Sequence, residues 1–379
     1  MKFVHLSDLH LGKRLYEVSL LEDQAYILDK ICEIICAEKP DAVLIAGDVY
    51  DKASPSEAAV QLFDDFLSWL AEDGQRVFVI SGNHDSAARV AYGRRIMARS
   101  GVYLSAPMYD GTVRPVTLTD EVGPVDIYLL PFIKPVHVRQ VFPDEVVETY
   151  TDALRVAVEH MAVDTKRRSV LVAHQFVTGA IRSDSEEVSV GGLDNVDASV
   201  FAPFSYVALG HIHRPQDIGS PRVHYSGTPL KDSFSESENE KSITVAEMDA
   251  KGAVDLRMIP LKPHCDLREV KGTYDALMDR NNYEGTAVDD YLHIILTDEL
   301  DVPDAMRKLN TVYPNVLCLD YDNVRTKSVG HVGVLPEEET KEPFALVEDF
   351  YSRQNNQPMN ESQAAYIKTL IARIWEEQA

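Results

Sequence analysis

Five apolar segments of the sequence each end in residues that bind metal ions or transfer protons. The groups that follow them are Asp8-Leu9-His10, Gly47-Asp48, Gly82-Asn83-His84-Asp85, His174 and Gly210-His211-Ile212-His213. Because the loops at the carboxyl ends of strands meet at one edge of an open α/β sheet, we expect these side chains to come together. Carboxylate, amide and imidazole groups without a thiolate argue against a closed structural zinc site. The sequence therefore predicts a site for a pair of divalent metal ions.

Asp48 is the natural bridging carboxylate of such a pair, because it lies in the middle of the ligand series. Two cations about 3.5–4 Å apart repel each other, and a shared carboxylate offers one oxygen to each. The remaining predicted ligands are Asp8, His10 and His213 for one ion and Asn83, His174 and His211 for the other. Manganese suits these oxygen and nitrogen ligands best, with magnesium, iron and zinc as alternatives.

His84 is predicted to act in catalysis and not as a metal ligand. Asp85 follows it directly, and a carboxylate that holds an imidazole favours the imidazolium at pH 7. Such a pair can stabilise a phosphoryl transition state or protonate the leaving oxygen. Asp51, three residues after Asp48, is expected to support the ligands without binding metal.

Each motif has an ordinary explanation when it stands alone, but five in this order after five strand patterns are hard to attribute to chance. The series resembles the calcineurin-like metallophosphoesterase superfamily, whose signature is D-x-H, G-D-x-x-D, G-N-H-D, a single H and G-H-x-H. The spelling is similar to one branch, the bacterial SbcD nucleases related to double-strand-break repair. This closer resemblance rests on residues 183–186, 190–192, 208–214, 225–230, 233–236 and 241–242.

The resemblance implies an α/β fold: a two-sheet α/β sandwich core, a small α+β capping domain and C-terminal helices. It implies a manganese-dependent nuclease that acts on duplex ends as an exonuclease and on single strands as an endonuclease. It also implies a homodimer and an SbcC-type partner, an ATPase with a long coiled coil that controls access to DNA. A small-molecule phosphodiesterase and a non-catalytic scaffold for DNA ends are the alternatives.

Composition limits the partners and the compartment. The 379 residues carry a net charge of −24, whereas affinity for DNA comes mainly from lysine and arginine. We therefore expect weak DNA binding by this chain alone, with Arg182 and Arg89 as possible phosphate contacts. Four scattered cysteines give no disulfide framework, and no apolar run is long enough to cross a membrane. These features predict a cytoplasmic, nucleoid-associated protein.

Periodicity predicts alternating strands and helices up to residue 262, a capping domain over residues 263–335, and a linker with two helices over residues 336–379. The helix after Asp48 is expected to open with a capping box at residues 54–57, with Pro55 at its first position. A single helix after Asp85 is expected to carry Arg89, Arg94, Arg95 and Arg99. The terminal helices, behind an acidic linker, are predicted to dock on the ATPase.

Overall fold

The computed structural model describes residues 1–183, 186, 194–324, 326, 343–355 and 357–376. Most of the predicted polar loop at residues 179–194 and the acidic linker that begins at residue 336 lie outside the described residues. The chain divides into a first unit, Met1–Leu267, and a second unit, Arg268–Ala379. The three-domain division therefore stays a prediction.

The first unit alternates strands with helices for most of its length. Its strands are β1 (Lys2–Leu6), β2 (Arg14–Leu15), β3 (Val18–Ser19), β4 (Ala42–Ala46), β5 (Val77–Ile80), β6 (Val102–Leu104), β7 (Val116–Asp120), β8 (Gly123–Leu129), β9 (Arg168–His174), β10 (Tyr206–Gly210), β11 (Gln216–Ile218), β12 (Ser220–Tyr225), β13 (Ser242–Met248) and β14 (Val254–Pro260). Its helices are α1 (Leu21–Glu38), α2 (Glu57–Glu72), α3 (Ala87–Val90), α4 (Arg94–Met97), α5 (Pro135–Val141) and α6 (Tyr150–His160).

Two six-stranded sheets form the core of the first unit. One has the strand order β14-β13-β1-β4-β5-β6 and the other β11-β12-β10-β9-β8-β7. Strands β1, β4 and β5 run parallel in the first sheet, as do β8, β9, β10 and β12 in the second. The parallel arrangement brings the carboxyl ends of these strands to one rim of each sheet, as expected for the predicted ligands.

The alternation of side chains along the strands explains the layers. In β4, Leu44 packs with residues of both sheets, such as Phe78 and Val170, between the sheets. Its neighbour Val43 packs on the opposite face with residues of α1 and α2, because successive strand side chains point to opposite faces. A separate apolar cluster joins the second sheet to α5 and α6. The predicted two-sheet α/β sandwich is confirmed.

Two helix predictions in the first unit need correction. Helix α2 begins at Glu57, and its cap is Ser56, whose side-chain oxygen accepts a hydrogen bond from the Ala59 backbone N–H at 3.2 Å. Pro55 thus precedes the cap and does not occupy the first helical position. The expected single helix after Asp85 is two short helices, α3 and α4, because the chain turns between them at Gly93, whose φ is 71°.

The second unit contains a three-stranded sheet of order β15-β16-β17. Its elements are β15 (Leu267–Gly272), α7 (Tyr274–Met278), α8 (Arg280–Tyr283), β16 (Tyr291–Leu296), α9 (Ala305–Leu309), β17 (Val316–Tyr321), α10 (Pro343–Asn355) and α11 (Glu361–Glu376). One face of the sheet is covered by an apolar cluster that includes Leu277 and Leu309. None of the helices in the described part of the chain combines the length and apolar character needed to span a membrane.

Candidate metal centre

The predicted ligands lie in loops that leave the carboxyl ends of β1, β4, β5, β9 and β10. Strands β1, β4 and β5 belong to one sheet and β9 and β10 to the other, so the loops converge where the two rims meet. A hydrogen bond joins the rims: the His174 Nδ1–H donates to the backbone carbonyl of Ala46 at 2.8 Å. This bond leaves Nε2 of His174 directed at the other polar groups.

Short distances link the side chains of the rim. Asp48 Oδ2 lies 3.2 Å from His174 Nε2 and 3.9 Å from His10 Nε2. Asn83 Oδ1 lies 2.9 Å from His174 Nε2 and 2.8 Å from His211 Nδ1. Asp8, His10 and His213 place one ligand atom each within 4.8 Å of one another. The structure thus brings together the seven predicted ligands Asp8, His10, Asp48, Asn83, His174, His211 and His213.

The backbone of this rim is strained. Four residues there have positive φ angles: Asp8 (52°), His10 (43°), Asp48 (47°) and His211 (98°). Non-glycine residues avoid this region, at a cost of roughly 1–3 kcal/mol each, and such residues cluster at functional sites. The strain directs these side chains into the common space between the rims.

The glycines before the ligands have a steric reason. A Cβ atom on Gly82 would lie 2.1 Å from Asp48 Oδ1, and one on Gly210 would lie 2.0 Å from the carbonyl oxygen of Ala46. A methyl group fits at neither position, so the spellings Gly-Asn and Gly-His allow the loops to approach each other. The recurrence of glycine in the motifs therefore reflects packing at the rim.

The chemistry of the rim fits divalent cations. Both ring nitrogens of His10 are buried without a hydrogen-bond partner within the described chain. Burying a polar group without a partner costs free energy, and a cation held with Asp8 and His213 would satisfy one of these nitrogens. The chain accordingly has candidate ligands for divalent ions at this site.

The pKa values show how strongly the rim attracts positive charge. Burial raises the pKa of Asp8 to about 6. Burial also acts to raise the pKa of Asp48, but the His174 and His10 imidazoles hold it well below its ordinary value. Burial lowers the pKa of His174, yet Asp48 outweighs this effect and raises it to about 9. In the absence of cations, a proton on His174 thus offsets the buried carboxylate of Asp48.

Asp85 does not hold the His84 imidazole as we expected. The Nδ1–H of His84 donates to the backbone carbonyl of Asp51 at 3.0 Å. The Asp85 carboxylate instead accepts the backbone N–H groups of Val49, Tyr50 and Gly82 at 2.9–3.1 Å. Asp85 therefore ties together the two loops that carry Asp48 and Asn83, and the backbone orients His84.

Sequence analysis assigned no role to several buried charged residues beside His213. Glu236 Oε1 lies 3.4 Å from His213 Nδ1, and Glu186 Oε1 accepts the His213 backbone N–H at 2.8 Å. Lys241 Nζ donates to the His213 carbonyl at 2.9 Å and pairs with Glu236. Asp232 follows the parallel strand β12. The rule that used strand ends could have found Asp232, had β12 been recognised.

The two candidate arginines lie in different environments. The Arg182 guanidinium stacks 3.3 Å from the ring centroid of Phe176 and pairs with Asp194 at 3.2 Å. Arg89 lies exposed on α3. Asp51 lies beside the site, where its carboxylate is 3.3 Å from Lys13 Nζ. The structure thus brings Asp51 to the rim and leaves the charge of Arg182 partly neutralised.

Comparisons with known proteins agree with this geometry. Residues 1–215 match the family described as calcineurin-like phosphoesterase, and residues 263–355 match a domain described as type 5 capsule protein repressor C-terminal domain. Curated relatives, each named as the SbcD component of nuclease SbcCD, occur in Staphylococcus saprophyticus, at 34% identity over 100% of this chain and 99% of the relative, and in Staphylococcus epidermidis, at 32% identity over 100% of both. A dimetal phosphatase from Danio rerio is similar at 12% identity and a TM-score of 0.37, over 68% of this chain and 95% of that one.

Proposed function

This chain belongs to the calcineurin-like phosphoesterase family, and from that premise we propose that it is the DNA nuclease subunit of a complex with an SbcC-type coiled-coil ATPase. Its reaction is the metal-dependent hydrolysis of phosphodiester bonds. It acts as an exonuclease on duplex ends and as an endonuclease on single strands, and ATP turnover by the partner controls access. The relatives that match over the full length carry the name of such a subunit.

One observation carries the proposal: two sheets direct seven nitrogen and oxygen ligands into one space, where the His10 ring nitrogens are buried without a partner in the described chain. Two divalent ions, which we propose are manganese, supply Lewis acidity there and lower the pKa of a water molecule. Asp8, His10 and His213 hold one ion, Asn83, His174 and His211 hold the other, and Asp48 is shared.

His84 has the position of a general acid in this proposal. Its Nδ1–H is engaged by the Asp51 carbonyl, so Nε2 is the atom that donates a proton to the leaving oxygen. Its backbone N–H donates to Asp48 Oδ1 at 2.9 Å, so the His84 backbone is fixed to the shared carboxylate. Asp85 positions the loops and does not touch the substrate.

Exposed apolar side chains support the proposed assembly. Tyr92 and Ile96 are 84% and 74% exposed on the short helices after the Asn83 loop, and we propose that this surface forms a homodimer. In the second unit, Phe350 of α10 and Tyr366 of α11 are 65% and 68% exposed. We propose that these two helices dock on the ATPase, giving a heterotetramer.

The charge of the chain supports a division of labour in DNA binding. With a net charge of −24, the protein gains much of its DNA affinity from its partner, while Arg89 and Arg182 provide local phosphate contacts. A location in the cytoplasm beside the nucleoid follows from this role.

A substrate comparison tests the proposal. Wild-type protein and a His84→Ala variant are assayed with manganese on labelled duplex DNA, single-stranded DNA and bis(p-nitrophenyl) phosphate, with and without the ATPase. We expect His84→Ala to bind both ions and to lose about 10²–10⁴-fold in hydrolysis. Undiminished turnover in that variant would remove the role of His84.

The same assay separates the alternatives. Hydrolysis of the small diester without cleavage of DNA, even with the ATPase, would identify a small-molecule phosphodiesterase. Absence of any hydrolysis by a manganese-loaded complex that binds DNA would identify a scaffold for DNA ends.

A further inference from the structure

Asp232 is a buried carboxylate that the ligand series does not include. It lies in the loop after β12 and is 5% exposed. Its Oδ2 atom has no hydrogen-bond partner within the described chain. A buried charge without hydrogen bonds is among the most costly groups in a folded protein. Its position beside the rim therefore calls for a partner that the polypeptide does not supply.

The surroundings of Asp232 Oδ2 identify the chemistry of that partner. The atom lies 3.9 Å from His10 Nε2 and 3.9 Å from His213 Nδ1. Asp48 Oδ2 lies at the same distance, 3.9 Å, from His10 Nε2. These separations are too long for hydrogen bonds. They approach the roughly 3–4 Å that separates neighbouring ligand atoms around one cation with bonds of about 2.1 Å.

Lysine side chains do not account for the position of Asp232. Lys13 Nζ is 3.8 Å from Asp232 Oδ2 but only 3.3 Å from Asp51 Oδ1, so its shorter contact is to Asp51. Lys241 Nζ donates to Thr228 Oγ1 at 2.6 Å and pairs with Glu236. Two lysines lie near the site, and each makes its shorter contacts to another oxygen.

We infer that Asp232 contributes a further carboxylate oxygen to the cation held by Asp8, His10 and His213. This inference rests on the proposed function, because it adds a residue to one of its two metal positions. That position then has two carboxylates of its own besides the shared Asp48, whereas Asn83, His174 and His211 give the other position only neutral ligands. The two positions accordingly differ in affinity, and the Asp232 side binds its ion more tightly.

The test compares manganese binding and thermal stability in wild-type protein and in Asp232→Asn, using the full chain. Asp266→Asn is the matched control, because Asp266 is a nearby carboxylate paired with a lysine, Lys231, at 2.9 Å. Isothermal titration calorimetry and the paramagnetic resonance signal of free Mn²⁺ give the number of ions and their dissociation constants. Melting temperatures are measured in chelator and in saturating manganese.

We expect Asp232→Asn to weaken the tighter manganese site by about 10- to 100-fold and to leave the other site unchanged. In chelator the variant melts at the same or a higher temperature than wild type, since a buried unpaired charge is gone. In manganese the rise in melting temperature is smaller than in wild type, because weaker binding stabilises less. Asp266→Asn keeps both wild-type affinities.

Two unchanged manganese affinities in Asp232→Asn would overturn the inference while leaving the proposed function intact. A lower melting temperature in chelator, with unchanged affinities, would show that Asp232 serves packing. If Asp232→Asn does not fold, Asp232→Ser is measured in the same way and judged by the same affinities. Failure of wild-type protein to bind manganese would instead refute the proposed function.

Discussion

The molecule contains two clusters of histidine and carboxylate that look alike in composition and differ in environment. At the rim of the first unit, the side chains of His10 and Asp48 are 1% and 2% exposed, and the His10 nitrogens have no hydrogen-bond partner in the described chain. In the second unit, His293 lies 2.9 Å from Glu269 and 2.8 Å from Asp320, whose side chain is 64% exposed. Residue types alone therefore do not select a metal site; burial that leaves nitrogen and oxygen atoms without partners does.

The largest effect is expected from removing the shared carboxylate. Asp48→Ala should lose both high-affinity manganese ions and all manganese-dependent hydrolysis, because no other carboxylate is placed to separate the two charges. His293→Ala is the matched variant in the other cluster and should keep two ions and wild-type hydrolysis. Metal content after gel filtration and turnover of duplex DNA measure both. A hydrolytically active Asp48→Ala, or loss of an ion in His293→Ala, would break the distinction between the clusters.

The pH dependence of metal binding should also distinguish the rim. Burial lowers the pKa values of His174 and His213, but Asp48 raises that of His174 and Glu236 raises that of His213, so that both stand at about 9 without cations. A cation must displace these protons. Manganese affinity should therefore increase from pH 7 to pH 9, by about tenfold per pH unit for each proton released.

Calorimetry in buffers of different ionisation enthalpy measures this proton release directly. The affinity should level off above pH 9, where both imidazoles are neutral without metal. His293→Ala should reproduce the wild-type profile. A constant affinity between pH 7 and pH 9 would contradict the assignment of these histidines as ligands.

A smaller effect is expected from two glycine substitutions that probe packing in the two units. Gly82→Ala places a Cβ atom 2.1 Å from Asp48 Oδ1, whereas Gly272→Ala places one 3.2 Å from Cδ2 of the flexible Leu277 side chain. Gly82→Ala should destabilise the fold by about 1–3 kcal/mol and weaken manganese binding, and Gly272→Ala should do neither. Urea unfolding and manganese titration compare them. Equal losses of stability would show that crowding at the rim is not special.

Local patterns in the chain were sufficient for much of the fold. Strands β13, β16 and β17 have the predicted bounds, because an alternating or continuous apolar run of this length suits a strand. Helix α1 contains the apolar face expected from Ile27, Leu28 and Ile31. The break between α3 and α4 was missed, because the single Gly93 could be tolerated within a helix and only its positive φ shows a turn.

By itself, the sequence determined which ligand types follow which strands, and hence the family, the two-sheet fold and the residues that meet at the rim. This was possible because parallel strands deliver their carboxyl ends to one edge whatever the details of packing. Tertiary structure alone decided that the Asp51 carbonyl holds His84, that Asp85 binds backbone amides, and that Asp232 joins the rim. Each of these contacts joins residues more than thirty positions apart, and their geometry depends on how the loops of two sheets pack, which no local pattern encodes.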